Sequence, residues 1–89
     1  MNIADKIKEV LVSDLFVEVP AEEMREDENL RDIFGLDSLG FVELRVQCEN
    51  IFGITIDDDD FSPDNFSSIS SLAGLIERLT SADADPTAP

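Results

Sequence analysis

The feature of this sequence that most constrains its fold is the spacing of its apolar residues, which recur at intervals of three and four positions. One face of a first predicted helix carries Ile3, Ile7, Val10, Leu11 and Leu15. One face of a last predicted helix carries Ile69, Leu72, Ala73, Ile76 and Leu79. The alternation of apolar and polar residues that marks a half-buried strand does not recur along the chain. The sequence therefore predicts an all-α fold.

Capping and helix-breaking residues predict where these helices begin and end. Asn2 is a plausible N-cap for the first helix. Pro20 limits the far end of that helix, because the residue before a proline avoids the α region. Asp37 or Ser38 is expected to cap a second helix that stops at Gly53. A serine in the segment FSSISS is expected to cap the last helix.

Between the first two helices lies a long acidic connection, VPAEEMREDENLRDIFGL, which has room for a short turn of helix. Leu30, Ile33 and Phe34 are expected to anchor it to the core. The segment ITIDDDDFSP is predicted to form a brief extended link and a short third helix. Together these elements predict a small four-helix bundle, with three main helices, one short helix and a long loop between helices 1 and 2.

Length and charge limit the organisation of the chain and its partners. A chain of 89 residues is one small domain, which we place at residues 1–80, followed by a disordered tail at 81–89. Six basic and 21 acidic residues give a net charge of −15. Nucleic acid and anionic membrane are therefore not expected as partners, because both require positive protein surface. The charge favours partners with basic docking faces, although it could also serve solubility alone.

Cysteine content and hydropathy bear on the compartment. The single cysteine, Cys48, excludes an internal disulfide and a cysteine-based zinc site, which favours a reducing setting. No apolar run approaches membrane-spanning length, and the N-terminal residues lack the layout of a signal peptide. We expect a soluble, cytoplasmic monomer.

The second helix carries more apolar surface than one contact with a core requires. At about 100° per residue, a core stripe contains Phe41, Leu44, Cys48, Ile51 and Phe52. A second stripe, about 160° away, contains Leu39, Val42 and Val46. Either this helix is buried all round, or the second stripe is exposed between Glu43 and Glu49 and docks other proteins. We favour docking, because exposed apolar strips usually mark interfaces.

Ser38 lies at the start of the second helix, in the stretch FGLDSLGFVEL, and the chain contains little that could activate it. There is no histidine, so a Ser-His-Asp relay cannot form. GLDSLG also lacks the glycine two residues before the serine that a nucleophile elbow needs. The run DDDD at 57–60 does not match a calcium loop, since Phe61 replaces an oxygen ligand and Ser62 replaces the glycine. We expect no catalytic residues and no metal site.

An exposed serine at a helix N-terminus is a suitable position for an anionic modification made by another enzyme. Free N–H groups and the positive end of the helix dipole favour negative charge there. Both simple phosphorylation and a phosphodiester-linked prosthetic group on Ser38 fit this environment. The residues alone leave both open.

The motif GLDSL, followed by VEL and later by FGITI in an acidic helical chain of this length, closely resembles the acyl carrier proteins of fatty acid and polyketide synthesis. The resemblance extends from about Ile3 to Leu79. It implies that Ser38 carries 4′-phosphopantetheine, transferred from coenzyme A by a separate phosphopantetheinyl transferase. The acyl group is then expected as a thioester on the thiol of this arm, not on Cys48, and the chain itself is not expected to be an enzyme.

The same resemblance assigns roles to the residues around Ser38. Asp37 matches the aspartate of the attachment motif, and Glu43 matches a docking acid. Leu39, Val42 and Val46 match positions that face partner proteins. The implied partners are the transferase, an acyl-loading enzyme, a ketosynthase or acyltransferase, and tailoring enzymes.

Two residues depart from the carriers of fatty acid synthesis. Gly40 stands where many of them have an acid, and Arg45 interrupts the second helix. The stretch GLDSLGFVELRVQCENIFGITI is more similar to discrete carriers of secondary metabolism, including carriers of small hydroxy- or alkoxy-acid extender units. We therefore expect a carrier of polyketide or extender-unit biosynthesis. The alternatives are a fatty acid synthesis carrier, an aminoacyl (peptidyl) carrier, and an acidic interaction module with Ser38 as a helix cap or phosphosite.

Overall fold

The computed structural model describes residues 3–84 of the chain, with three α-helices. Helix α1 spans Ile3–Ser13, α2 spans Ser38–Phe52, α3 spans Ile69–Ala84, and a short 3₁₀ turn spans Ala21–Glu23. The described residues contain no β-strand. The predicted all-α fold, with three main helices, one short helical element and a long first loop, is confirmed. Within 3–84, no helix has the length and apolar character needed to cross a membrane.

Aliphatic side chains from all three helices and from both long loops form the core. The largest fully buried side chains are Ile7, Val10, Leu11, Leu30, Leu44, Cys48, Ile56, Ile69, Leu72, Leu75 and Ile76. Burying an aliphatic side chain of this kind stabilises the fold by about 1.5–3 kcal/mol. Leu30 and Ile56 belong to loops, so the loops are held by the same hydrophobic burial that holds the helices together.

Helix α1 ends at Ser13, well before Pro20. Phe16 has a left-handed backbone, with a φ of 57°. The amide of Val17 then donates to the carbonyl of Leu11 at 2.8 Å, and this wide turn brings Val17 into the core. Pro20 instead precedes the 3₁₀ turn, so the prediction that it bounds α1 is wrong. The predicted N-cap, Asn2, lies outside the described residues.

Three residues at the end of the first loop were predicted to anchor it, and two of them do. Leu30 and Phe34 are buried, but Ile33 is 51% exposed, so its predicted anchoring role is wrong. The left-handed backbone of Gly35, with a φ of 74°, turns the chain back at this point. Leu36 is buried in consequence, and it provides the third anchor.

The short helix predicted in ITIDDDDFSP is absent, and this segment forms two separate turns. The amide of Phe61 donates to the carbonyl of Asp57 at 2.9 Å, and the amide of Phe66 donates to Ser62 at 3.0 Å. The turns do not merge into a helix, because Pro63 has no N–H to continue the hydrogen bonds. The short helical element lies in the first loop, at Ala21–Glu23.

Helix α3 begins at the predicted serine cap. The Oγ of Ser68 accepts a hydrogen bond from the amide of Ser71 at 3.1 Å. The helix continues through Ala84, past the boundary predicted between the domain at 1–80 and the tail. The rest of the predicted tail, residues 85–89, lies outside the described residues.

Candidate functional site

Ser38 is the first residue of α2, and its side chain is exposed. Asp37 is the N-cap of this helix: its Oδ1 accepts a hydrogen bond from the amide of Gly40 at 2.8 Å. Of the two caps that the sequence allowed, the structure therefore selects Asp37. The Ser38 hydroxyl has no capping bond to make, and it projects from the helix N-terminus available to an external reagent.

Ser38 lines a cleft of about 460 Å³ that is bounded by three parts of the chain. One wall is the first turns of α2, with Phe41 and Val42 beside Ser38. A second wall is the end of the first loop at 29–32, and the third is the segment before α3 at 61–67. The lining combines aromatic rings with hydroxyl, amide and charged groups. A flexible group attached near Ser38 would find both apolar and polar contacts there.

Backbone hydrogen bonds join two of these walls. The amide of Leu30 donates to the carbonyl of Ser67 at 2.9 Å, and Asn29 and Ser68 form an isolated antiparallel bridge. The Oδ1 of Asn29 also accepts from the amides of Arg31 and Asp32, each at 2.9 Å. These contacts hold the end of the first loop against the segment before α3, so the cleft has a defined shape.

Arg45 and Glu49 fasten the other side of the cleft to α2. The Arg45 guanidinium donates to the carbonyl of Ile56, pairs with Asp58 at 3.1 Å and lies 4.9 Å from the centre of the Phe61 ring. Glu49 accepts a hydrogen bond from the Ile56 amide at 2.8 Å. Both polar backbone groups of Ile56 are therefore held by side chains of α2.

The sequence analysis missed this contribution of Arg45 and Glu49. Arg45 was expected only as an interruption of the second helix, and Glu49 only as one edge of the exposed strip. A signal was present: the two residues are four apart, which places them on one face of a helix. The sequence does not identify their partners in the loop, because these contacts depend on the path that the backbone takes after Gly53 and on how that segment packs against α2.

Leu39, Val42 and Val46 form an exposed apolar strip on α2, which we call the docking strip. Their side chains are 76%, 46% and 41% exposed, so the interpretation of α2 as buried all round is wrong. On the opposite face, Leu44 and Cys48 are fully buried, as predicted. The strip begins at the residue after Ser38 and runs along the helix away from it.

The core stripe of α2 is narrower than predicted. Phe41 and Phe52 are partly buried against the core, but Ile51 is 39% exposed, so its assignment to the core is wrong. Ile51 falls at the edge of the core-facing sector, in the last turn of the helix. Gly53 then takes a left-handed φ of 65° and ends the helix, as predicted.

Comparison with known proteins decides what kind of protein carries this site. The family model described as "Phosphopantetheine attachment site" matches residues 5–76, which is most of the chain. The chain belongs to the phosphopantetheine-binding carrier proteins. The predicted membership is thereby confirmed. A carrier protein of this family is not catalytic; it bears a phosphopantetheine prosthetic group, and separate enzymes load it.

Individual relatives of this carrier protein include carriers of different cargo. It is 40% identical over 60 residues to an acyl carrier protein of Solidesulfovibrio magneticus, covering 67% of this chain and 74% of the relative. It is 37% identical over 82 residues to a D-alanyl carrier protein of Streptococcus pyogenes, covering 92% of this chain and 100% of the relative. These matches agree on a carrier and differ in what is carried.

The fold of this carrier protein is also that of a solved relative. The solution structure of a holo acyl carrier protein from Nitrosomonas europaea superposes with a TM-score of 0.78, covering 88% of this chain and 95% of the other. The two sequences are 24% identical, so this likeness shows the shared fold alone.

Cys48 of the carrier protein is a structural residue. Burial raises the pKa of its thiol from 9.0 to about 12, and the neighbouring charge of Glu49 adds to the rise. A thiol with this pKa stays protonated at neutral pH, and the protonated form is a poor nucleophile. The full burial of Cys48 agrees with the prediction that it belongs to the core stripe of α2.

The two acidic residues at the edges of the docking strip, Glu43 and Glu49, differ in their hydrogen bonds. Glu43, beside the docking strip, is exposed, and among residues 3–84 its carboxylate accepts a hydrogen bond only from Gln47 on its own helix, at 2.9 Å. Glu49, at the other edge, is committed to the Ile56 amide. Within 3–84, no group of three or more His, Cys, Asp or Glu side chains could hold a metal ion.

Proposed function

We propose that this carrier protein bears its phosphopantetheine arm on Ser38 and presents an acyl thioester to partner enzymes of polyketide or extender-unit biosynthesis. The observation that carries the proposal is the exposed Ser38 hydroxyl at the first residue of α2. Ser38 does not cap this helix, because Asp37 does. The arm fits this position, because its phosphate would begin at a helix N-terminus and continue beside an open cleft.

A separate transferase is required to attach the arm. The chain has no histidine to act as a base toward Ser38, and the Asp37 carboxylate is held by the Gly40 amide. In the reaction the Ser38 oxygen bonds to the pantetheine-side phosphorus of coenzyme A, the pyrophosphate P–O bond breaks, and adenosine 3′,5′-bisphosphate leaves. The transferase takes up the proton of the Ser38 hydroxyl. The carrier protein contributes position and access.

Delivery is the contribution of the carrier protein to each later reaction. A tethered thioester has a high effective concentration at the active site of a docked partner, so each step needs only weak binding between the proteins. The docking strip supports such binding, because it starts one residue after Ser38 and is flanked by the exposed carboxylate of Glu43. Its expected counterpart is an apolar patch bordered by Lys or Arg.

Two further properties belong to the same proposal. We place the protein in the cytoplasm as a monomer, supported by its lone cysteine, which is buried and cannot bridge to a second copy without exposure. The proposed partners are a phosphopantetheinyl transferase, an acyl-loading enzyme, a ketosynthase or acyltransferase, and tailoring enzymes. The net charge of −15 would speed their approach if their docking faces are basic.

An aminoacyl carrier is the second candidate. The D-alanyl carrier protein of Streptococcus pyogenes matches 92% of this chain over its own whole length. On that reading Ser38 and the arm keep their roles, and only the cargo and the loading enzyme change. The departures at Gly40 and Arg45 from fatty acid carriers support both candidates over a role in fatty acid synthesis.

Intact-mass measurement after co-expression with a phosphopantetheinyl transferase tests the attachment. The wild type should gain the mass of one phosphopantetheinyl group, and Ser38→Ala should gain none. Ser70→Ala is the matched control, since Ser70 is an exposed serine in the first turn of α3, and it should be modified like the wild type. No gain on the wild type, or a gain that survives Ser38→Ala, would contradict the proposal.

The cargo separates the two candidates. Mass spectrometry of the thioester released from protein isolated from its native producer should show a small hydroxy- or alkoxy-acid unit if the primary proposal is right. An amino acid in the same position would replace the primary proposal with the aminoacyl carrier.

A further inference from the structure

Arg31 is the one basic residue among those that line the cleft beside Ser38. Its side chain is exposed, and its guanidinium carbon lies 6.0 Å from the centre of the Phe41 ring. Phe41 follows Ser38 by three positions on α2, so both side chains are on neighbouring parts of one helix face. The Arg31 cation is therefore placed over the helix turn that begins with Ser38.

The Arg31 guanidinium has no carboxylate partner among residues 3–84. Of the other five basic side chains, four form ion pairs with carboxylates, namely Lys6, Lys8, Arg25 and Arg45, and the fifth, Arg78, donates to the side-chain oxygen of Asn65. The backbone amide of Arg31 is bonded to Asn29, which fixes the base of the side chain. Its guanidinium rests over an aromatic face, with its N–H donors available to an anion from outside the chain.

A phosphodiester on Ser38 would lie near acidic side chains, and a cation there would reduce the resulting repulsion. The Asp37 carboxylate precedes Ser38 directly, and it already occupies the Gly40 amide at the helix start. Asp32 adds a second acid to the lining of the cleft. A phosphodiester on Ser38 would stand close to these negative charges, and a neighbouring guanidinium would offset their repulsion.

We propose that Arg31 binds the phosphodiester that joins the prosthetic arm to Ser38. The inference rests on the attachment at Ser38 proposed above. Arginine suits the contact, because its planar guanidinium can donate two N–H groups to two oxygens of one phosphate while its face stays on the Phe41 ring. The contact would turn the beginning of the arm toward the cleft.

This role gives partner enzymes a means of releasing the arm. The contact between Arg31 and the phosphodiester is exposed, so competing cations can replace it. A partner with a basic docking face brings such cations to the docking strip next to Ser38. Arg31 is thus a positioning residue: it holds the arm against the carrier protein between visits to partners, and it takes no part in any reaction.

Nuclear magnetic resonance of apo and holo protein tests the contact. Intact mass first confirms that one phosphopantetheinyl group is present on Ser38. The Nε–H signal of Arg31 should then shift between the apo and holo forms, and the signal of Arg25 should not. The phosphorus resonance of the arm should move in Arg31→Gln and stay unchanged in Arg25→Gln, which removes the same charge from the same loop outside the cleft lining.

The salt dependence of the phosphorus resonance distinguishes an ionic contact from a purely structural role of Arg31, because a structural role would not depend on salt. At about 1 M salt, where screening extends over roughly 3 Å, the phosphorus resonance of the wild type should approach that of Arg31→Gln. Arg31→Lys, which keeps the charge and loses the planar fork, should give an intermediate position.

The outcomes separate this inference from the proposed function. A protein that carries the arm on Ser38, with the same Arg31 signal in apo and holo forms and the same phosphorus resonance in Arg31→Gln, overturns the inference alone. A slower transferase reaction in Arg31→Gln without these spectral changes would assign Arg31 to partner docking and also overturn it. Failure of the wild type to form any holo protein would contradict both the attachment at Ser38 and the Arg31 contact.

Discussion

At the scale of single residues, Asp37 and Ser38 have different roles at the start of α2, although either side chain could cap a helix. Asp37 caps α2, and Ser38 offers an exposed hydroxyl. The Asp37 carboxylate satisfies the Gly40 amide, which would otherwise be a free donor at the start of α2. Ser38 is therefore left exposed, with its hydroxyl outside the capping interaction. The aspartate of the motif has a structural reason to be there, independent of any partner that also contacts it.

Substitutions of Asp37 can separate its capping role from its charge. Asp37→Ala should lower the free energy of unfolding by about 0.5–2 kcal/mol, because the Gly40 amide loses its acceptor. Asp37→Asn should stay close to the wild type, since asparagine caps about as well as aspartate. Urea denaturation followed by circular dichroism measures both. Equal stability of Asp37→Ala and the wild type would show that the cap contributes nothing.

Cys48 makes a pH-dependent contribution to stability, with a defined sign. Its pKa rises from 9.0 to about 12 on folding, because burial disfavours the thiolate and Glu49 repels it. The unfolded chain therefore loses this proton at lower pH than the folded protein does. The stabilisation is complete below about pH 9 and is lost as the pH rises toward 12.

Alkylation measures this difference directly. At pH 8, iodoacetamide should leave Cys48 of the folded apo protein unmodified and should modify it readily in denaturant. Rapid modification of the folded protein would show that the thiol is accessible and that its pKa is not raised by burial.

At the scale of elements, α2 has three distinct surfaces. One faces the core with Leu44 and Cys48, and a second presents the docking strip to solvent. The third, with Arg45 and Glu49, holds the loop that forms one wall of the cleft. A single helix thus joins the packing of the domain, the proposed surface for partners and the shape of the cleft beside Ser38.

Paired substitutions on α2 distinguish its core surface from the docking strip. Val42→Asp should leave helicity and thermal unfolding nearly unchanged, because Val42 is 46% exposed, and it should impair modification or loading by partner enzymes. Leu44→Ala should lower the free energy of unfolding by about 2–5 kcal/mol, because Leu44 is fully buried. A cooperative loss of helicity in Val42→Asp would instead place Val42 in the core.

The Arg45 contacts predict a local effect of substitution. Arg45→Lys cannot reproduce contacts to the Ile56 carbonyl, Asp58 and the Phe61 ring at the same time, because lysine lacks the planar fork. Hydrogen exchange should therefore accelerate at residues 54–61 and change little in α1 and α3. Glu43→Gln, on an exposed part of the same helix, is the control and should leave exchange in 54–61 unchanged. Equal exchange in the two variants would show that Arg45 does not hold the loop.

At the scale of the whole molecule, a small acidic domain combines few helices with long, well-anchored connections. Buried Leu30 and Ile56, together with backbone bonds such as that from Ser70 to Glu26, attach the two loops to the helices. This anchoring matters for function, because both loops line the cleft. The net charge of −15 is carried mainly on the outside, where it suits encounters with basic partners.

Periodicity predicted the three main helices well, since each needs an apolar face at helical spacing whatever the rest of the chain does. It also separated the two apolar stripes of α2. It placed Ile51 in the core wrongly, because spacing gives an angle around a helix and not the width of the surface that neighbours cover. The short helix expected in ITIDDDDFSP does not form, because Pro63 interrupts the hydrogen bonds of the two turns found there. Arg45 and Glu49 also hold the backbone of Ile56, just before those turns.

The sequence by itself determined the helical class, the chemistry that the chain cannot perform and the GLDSL motif that identifies a carrier protein. These properties follow from residue types and local spacing, which do not change with packing. Only the tertiary structure decided which of Asp37 and Ser38 caps α2, that Arg45 fastens a loop, and that Arg31 stands over Phe41 in the cleft beside Ser38. Those features depend on which loop residues pack against α2. That packing is determined by the burial of side chains that are far apart in sequence.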